Sequence, residues 1–169
     1  QVIKVKPYLA KPYFFRSVAK LNLGDYKGAE DDATLCIDRN PFIVDAYQVR
    51  GVARQNSRKF AEAITDYDKA LDIQPDNKNF MFNKALCQLQ LTQYHESDST
   101  FHYLEKHDKK NERVYLGLAQ ICIETGDTTG ALAYVQKSLD ISKNTPTASA
   151  VRAQIEAQRG HFQPAAADM

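Results

Sequence analysis

The sequence lacks any long apolar run, any excess of charge of one sign and any paired-cysteine spacing, and each shortage excludes a class of protein. No stretch approaches the roughly 18 consecutive apolar residues that a membrane-crossing helix needs, and no secretory leader is visible. Twenty-two Lys and Arg against 21 Asp and Glu leave a formal net charge of +1. Nucleic-acid binding calls for a basic face that displaces phosphate counterions. Here the basic runs are short: Lys4 with Lys6, and Lys109 with Lys110 beside Asp108. Cys36, Cys87 and Cys122 are odd in number, far apart and without C-x-x-C spacing, which argues against a disulfide framework and a zinc site. They read as small buried thiols in helices.

What is present is apolar and aromatic. A hydrophobic fraction of 43%, with nine Tyr and eight Phe, excludes a disordered polar chain, and 169 residues suffice for a core. Gln1 in place of an initiating Met leads us to expect a segment of a longer chain.

Internal periodicity decides the rest. Pro7, Pro41 and Pro75 fall 34 residues apart, and sliding the chain by 34 aligns whole columns. An aromatic recurs as Tyr13, Tyr47 and Tyr115, with Met81 in the third copy. Four residues on stands Ser17, Gly51, Ala85, Ala119 and Ala153. A second aromatic column is Tyr26, Phe60, Tyr94 and Phe162, with Thr128 the exception, and three residues later come Ala29, Ala63, Ala131 and Ala165, with Ser97 the exception. Then follow Ala33, Tyr67, Phe101 and Val135, and Cys36, Ala70, Leu104 and Ser138. Two antiparallel helices approach closely only where both offer small side chains, so Gly51 is expected against Ala63 with Tyr47, Phe60 and Tyr67 filling the wedges. One such hairpin cannot bury its own face, so copies stack. Gly24-Asp25, Gly126-Asp127 and Gly160-His161 sit where a first helix must end and the chain reverse.

These columns resemble the tetratricopeptide repeat (TPR) family over essentially the whole chain. The second copy, Tyr47-x-x-Arg50-Gly51 through Phe60-x-x-Ala63-x-x-x-Tyr67-x-x-Ala70 to Pro75, matches nearly throughout, with Arg50 in place of the usual leucine. The third and fourth copies depart at Ser97, Leu104, Lys109 and Lys143. The resemblance implies an all-α, right-handed superhelical solenoid of antiparallel helix pairs forming a single domain. Residues 1–9 would end a preceding repeat with Pro7 as its stop, followed by repeats at 10–43, 44–77, 78–111 and 112–145 and an incomplete fifth at 146–169. Helix pairs are expected near 11–23/27–39, 45–57/61–73, 79–91/95–107 and 113–125/129–141. With no polar capping helix at either end, Val2, Ile3, Ile155 and Phe162 should be partly uncovered and favour end-to-end self-association.

No catalytic motif emerges. Gly126-Asp-Thr-Thr-Gly130 resembles a phosphate loop only superficially, lacking Gly-Lys-Ser/Thr, and G-x-S-x-G and H-E-x-x-H are absent. His95, Asp98 and His102 share a helical face that could clasp a metal, although the register assigns that face to solvent. No cofactor or resident metal is expected.

In the family, ligands lie in a concave groove lined by the first helix of each repeat. Carried over, this implies Lys11, Phe14 and Val18 in the first repeat, then Asp45, Gln48 and Val52. Asn79, Phe82 and Leu86 follow in the third, and Arg113, Leu116 and Gln120 in the fourth, with Leu21, Gln55, Leu89 and Ile123 one turn further along. Thr147, Ala150 and Gln154 would extend it. The family's carboxylate clamp would fall on Phe14, Val18, Val49, Asn79 and Asn83, or on Gln48, Val52, Asn83, Arg113 and Gly117. Neither set carries the charges to hold a carboxylate. The expectation is a non-catalytic scaffold for a peptide or protein of unknown identity, anchored by Phe14, Phe82 and Leu116. A structural spacer within a longer array and a metal-dependent activity at His95, Asp98 and His102 are the alternatives. Tyr13-Phe14-Phe15-Arg16 and Tyr47-Gln-Val-Arg50-Gly51 resemble bacterial TPR arrays exported to the envelope, implying a periplasmic site; the reduced cysteines point to a cytoplasmic one.

Overall fold

In the computed structural model, backbone is described for residues 2–162 and side chains for residues 9–160. All regular structure among the described residues is α-helical. The chain divides into two compact units, Gln1–Gln93 and Tyr94–Met169. The first holds α1 (Val2–Asn22), α2 (Tyr26–Arg39), α3 (Val44–Asn56), α4 (Phe60–Ile73) and α5 (Lys78–Gln90), and the second holds α6 (Tyr94–His107), α7 (Glu112–Thr125), α8 (Thr128–Ile141) and α9 (Pro146–Phe162). Within each unit every helix packs against the next in the chain. The unit boundary falls inside the third 34-residue copy, between α5 and α6.

Helix ends follow from local chemistry. The Asp25 and Asp127 carboxylates accept from the Gly28 and Gly130 amides at 2.9 Å, capping α2 and α8. The Gly126-to-Gly130 segment is therefore a turn and a helix cap. Gly24 and Gly126 end α1 and α7 at φ of 78° and 85°, where glycine carries no Cβ penalty. Arg58 and Thr92 occupy the same register position in copies two and three, at φ of 63° and 59°.

The repeat columns form the core. Ala29, Ala63, Ser97 and Ala131 are fully buried, as are Ala33, Tyr67 and Phe101, with Val135 next to them in burial. Cys36, Ala70, Leu104 and Ser138 complete the set. The small column is buried at Ser17, Gly51, Ala85 and Ala119. Ala153, its fifth member, is exposed.

Several expectations are corrected. A Cβ at Gly51 would meet the Tyr67 ring at 3.0 Å, so what the glycine makes room for first is this aromatic. Helix α1 does not break at Pro7: proline's fixed φ is helix-compatible, and the ring gives up one backbone donor. Helix α9 runs through Gly160, which keeps a helical backbone where Gly24 and Gly126 turn at positive φ. Ile155, expected at an uncovered end, is fully buried with Ala119, Ala131 and Val135. Side chains of Val2, Ile3, Phe162 and Ala165 lie outside the described residues.

Candidate functional site

In the first unit, three first-type helices carry the residues expected to line a groove. At the second register position Lys11, Asp45 and Asn79 are exposed. At the ninth, Val18, Val52 and Leu86 are half-buried, each keeping part of its apolar surface in water. The fifth position divides: Phe14 and Gln48 are half-buried, but Phe82 is only 5% exposed. Phe82 is therefore corrected from groove anchor to core residue. An aromatic ring holds 150–250 Å² of surface, and α5 buries that surface as it buries Phe80 beside it. Phe14 leans on the cluster of Ala10, Cys36, Ile37 and Tyr47 while its ring meets Phe15 edge-on at 5.5 Å. Two further positions leave the groove set. Gln55 Oε1 accepts from the Tyr67 hydroxyl at 2.9 Å, and Leu89 is buried.

In the second unit, α7 presents Arg113 exposed and Leu116 and Gln120 half-buried. Gln120 Nε2 donates to Glu124 Oε1 at 2.8 Å, one turn along the same helix. On α9, Thr147, Ala150 and Gln154 are exposed.

The expected histidine face is not assembled as a triad. His95 is exposed, while His102 is half-buried between carboxylates, with Nε2 3.4 Å from Asp98 and Nδ1 3.0 Å from Glu105. Its ring meets Tyr134 of α8, and Lys137 lies 3.4 Å from Glu105, so this largely solvent-facing surface touches a neighbouring helix at one edge. Among the described residues no group of three or more His, Cys, Asp or Glu side chains could hold a metal ion.

The sequence reading missed a buried ionic network. Arg50 Nε and Nη2 donate to Asp66 Oδ1 at 2.9 and 2.8 Å, and Arg54 Nη1 donates to Oδ2 at 2.9 Å. From α2, Thr34 Oγ1 accepts from Arg50 Nη1 at 3.2 Å, and Glu30 accepts from Arg54 and Lys59. Burial pushes the Asp66 carboxyl upward, opposed by Arg50 and then Arg54. Burial also works to raise Glu30, but Lys59 and Arg54 outweigh it and hold the carboxyl low. In the first copy Arg16 donates to Asp32 through the same two nitrogens at 2.7 and 2.6 Å, with Lys20 at 2.9 Å. The Arg16 hydrogen bond leads the causes that hold Asp32 below the ordinary aspartate value. Arg16 and Arg50, like Asp32 and Asp66, stand one repeat apart, which was the available signal.

Two segments of the chain, 44–77 and 112–145, match the tetratricopeptide repeat family model. The structure is similar to that of Cut9 with Hcn1, a tetramer of the APC/C, at a TM-score of 0.77 and 17% identity, covering 86% of this chain and 30% of that one. It is also similar to PilF of Pseudomonas aeruginosa, at a TM-score of 0.76 and 19% identity, covering 95% of this chain and 73% of that one. The chain carries tetratricopeptide repeats.

By sequence, the TPR chain is 26% identical over 111 residues to the mitochondrial import receptor subunit TOM70 of Rattus norvegicus, covering 64% of this chain and 18% of that protein. It is 24% identical over 110 residues to the Hsp70-Hsp90 organizing protein 2 of Arabidopsis thaliana, covering 65% and 19%. The chain thus spans under a fifth of those relatives' length. TPR repeats are in general protein–protein interaction modules. No helix among the described residues is long and apolar enough to cross a membrane.

Proposed function

We propose that this chain is a non-catalytic scaffold that holds a segment of a protein partner along the first-type helices of its repeats. The observation that carries this reading is the stripe Val18, Val52 and Leu86, one residue per repeat, half-buried with part of each side chain in water on α1, α3 and α5. Phe14 and Gln48 stand half-buried one turn before Val18 and Val52, and Lys11, Asp45 and Asn79 are exposed beyond them. A partner's side chains gain by covering the aliphatic stripe, and the amide of Gln48 offers a donor and an acceptor to its backbone. The charges at the rim, one Lys and one Asp, offer no concentrated field, so side-chain burial rather than carboxylate capture selects the ligand. TOM70 and the Hsp70-Hsp90 organizing protein, by their names, act on or with other proteins, which supports a protein ligand here.

The test is selection of peptides from a random displayed library against the chain. Binding of the selected peptides should fall at least tenfold, or about 1.4 kcal/mol, in Val52→Glu. Thr65→Glu, an exposed position on α4, should leave it unchanged. Equal binding by both variants, with folding confirmed by circular dichroism, would remove the groove from consideration.

A further inference from the structure

Most charged side chains on α1, α3 and α5 are spent on holding the fold together. Arg16 and Lys20 of α1 close on Asp32, Arg50 and Arg54 of α3 close on Asp66, and Lys84 of α5 lies 2.6 Å from Asp68 of the preceding α4. Each of these cations ties a first-type helix to a second-type one. Lys11 and Asp45 do no such work. Both are exposed, and among the described residues neither side chain has a hydrogen-bond or ion-pair partner. They share one register position, with the neutral Asn79 third in the row. The row stands two turns before the half-buried stripe of Val18, Val52 and Leu86 on the same helices. Lys78, also exposed, lies one register position earlier, level with Ala10 and Val44. Asp45 is in the first turn of α3, where the helix dipole favours an acid. Lys11 stands in the middle of α1, where no such argument places a cation.

The spacing of the two charges limits what they can read. Helices α1 and α3 touch, and helices in contact run about 8–10 Å apart. An extended chain covers that span in about three residues. A helix needs about six, but its backbone is already bonded to itself, and the donor and acceptor of the Gln48 amide would then go unused. Opposite charges side by side also discriminate. A segment with an acid over Lys11 and a base over Asp45 is attracted at both, whereas a segment of one sign is attracted at one and repelled at the other. Exposed pairs add little to affinity, so burial on the stripe supplies the binding and the charged row decides which apolar segment is accepted.

We infer that the groove selects an extended segment with an acidic and a basic side chain about three residues apart beside its apolar ones, the acid over Lys11 and the base over Asp45. This rests on the groove reading above and names the charge pattern of its ligand. The probe is a random displayed peptide library, selected separately on the unchanged chain, on Lys11→Glu and on Asp45→Lys. Peptides taken by the unchanged chain should carry the acid–base pair. Those taken by Lys11→Glu should carry a base in place of the acid, and those taken by Asp45→Lys an acid in place of the base. These shifts hold whichever way the peptide runs through the groove. A synthetic peptide from the first selection should lose about three- to tenfold in affinity with either reversal. That difference should close at about 1 M salt, where the screening length is about 3 Å. Both positions are exposed, so the variants should keep their helical spectrum. Should a reversal disturb the fold, Lys11→Gln and Asp45→Asn remove each charge at nearly constant shape and should erase the matching preference. The same charge pattern from all three chains, or no enriched pair, would overturn the inference, and the groove would still stand if Val52→Glu abolished binding. Peptides that bind Val52→Glu unchanged would remove the groove itself, and the inference with it.

Discussion

Asp66 and Asp32 stand one repeat apart and accept from arginines at the same register positions, yet their removal should have unequal consequences. The Asp66 side chain is fully buried and takes three hydrogen bonds from Arg50 and Arg54, whose side chains are 15% and 17% exposed. Asp66→Ala strands two guanidiniums away from water with their best partner gone. Breaking a buried pair by deleting one side costs about 3–5 kcal/mol. Part of Arg54 is still answered by Glu30 and Glu62, which keeps the loss near the lower end. Asp32→Ala frees Arg16, a side chain already more than half in solvent, so its loss should be under half that of Asp66→Ala. Adding Arg50→Leu to Asp66→Ala should recover part of the damage, because one stranded cation leaves with it. Urea unfolding followed by circular dichroism measures all of these through the shift in midpoint at constant slope. Equal losses for the two aspartates, or an Asp66→Ala loss below about 1 kcal/mol, would refute the reasoning.

Thr92→Gly should stabilise by roughly 1 kcal/mol, since a β-branched residue at φ of 59° is strained where Gly24 and Gly126 are not; thermal melts decide it. Gly117→Ala should destabilise by about 1–3 kcal/mol, because its Cβ would sit within 2.5–2.8 Å of the Phe101 ring, and the same melts report it. Asp32 and Glu30 have lowered folded values, so the stability they contribute is complete above their ordinary values of 3.8 and 4.5 and is lost as pH falls below them. Asp66, shifted upward, works with the opposite sign. The urea midpoint should therefore fall on acidification, and Arg16→Ala should flatten that fall; an unchanged acid limb would contradict the assignment. The Cys87 thiol, pushed up to about 12 by burial, should resist thiol reagents in the native state and react on unfolding.

Much of the fold was legible because tetratricopeptide packing repeats in register. Helix bounds inside the four copies agree with expectation to within a residue, apart from the start of α1, and the columns at Ala63, Tyr67 and Ala70 are core. Legibility fell where one register position admits two environments. Phe14 and Phe82 share a position, yet one keeps surface and the other is buried, and periodicity alone assigns them alike. Arg50 was read as a departure from leucine. Its meaning lay sixteen residues away at Asp66, in a pairing that hydrophobic periodicity does not weigh. Pro7 and Gly160 misled for another reason: neither residue type ends a helix by itself, and here α1 and α9 run through them.

The central claim is that the buried repeat columns, with the helix faces packed on them, form the core while other faces of the first-type helices keep surface in water. Hydroxyl-radical footprinting with mass spectrometry tests it directly, because phenylalanines occupy buried, half-buried and exposed positions. The account predicts fast oxidation at Phe15 and at the loop residue Phe42, intermediate oxidation at Phe14, and protection at Phe80, Phe82 and Phe101. Oxidation of Phe82 as fast as Phe15, or protection of Phe15 in the isolated chain, would contradict it.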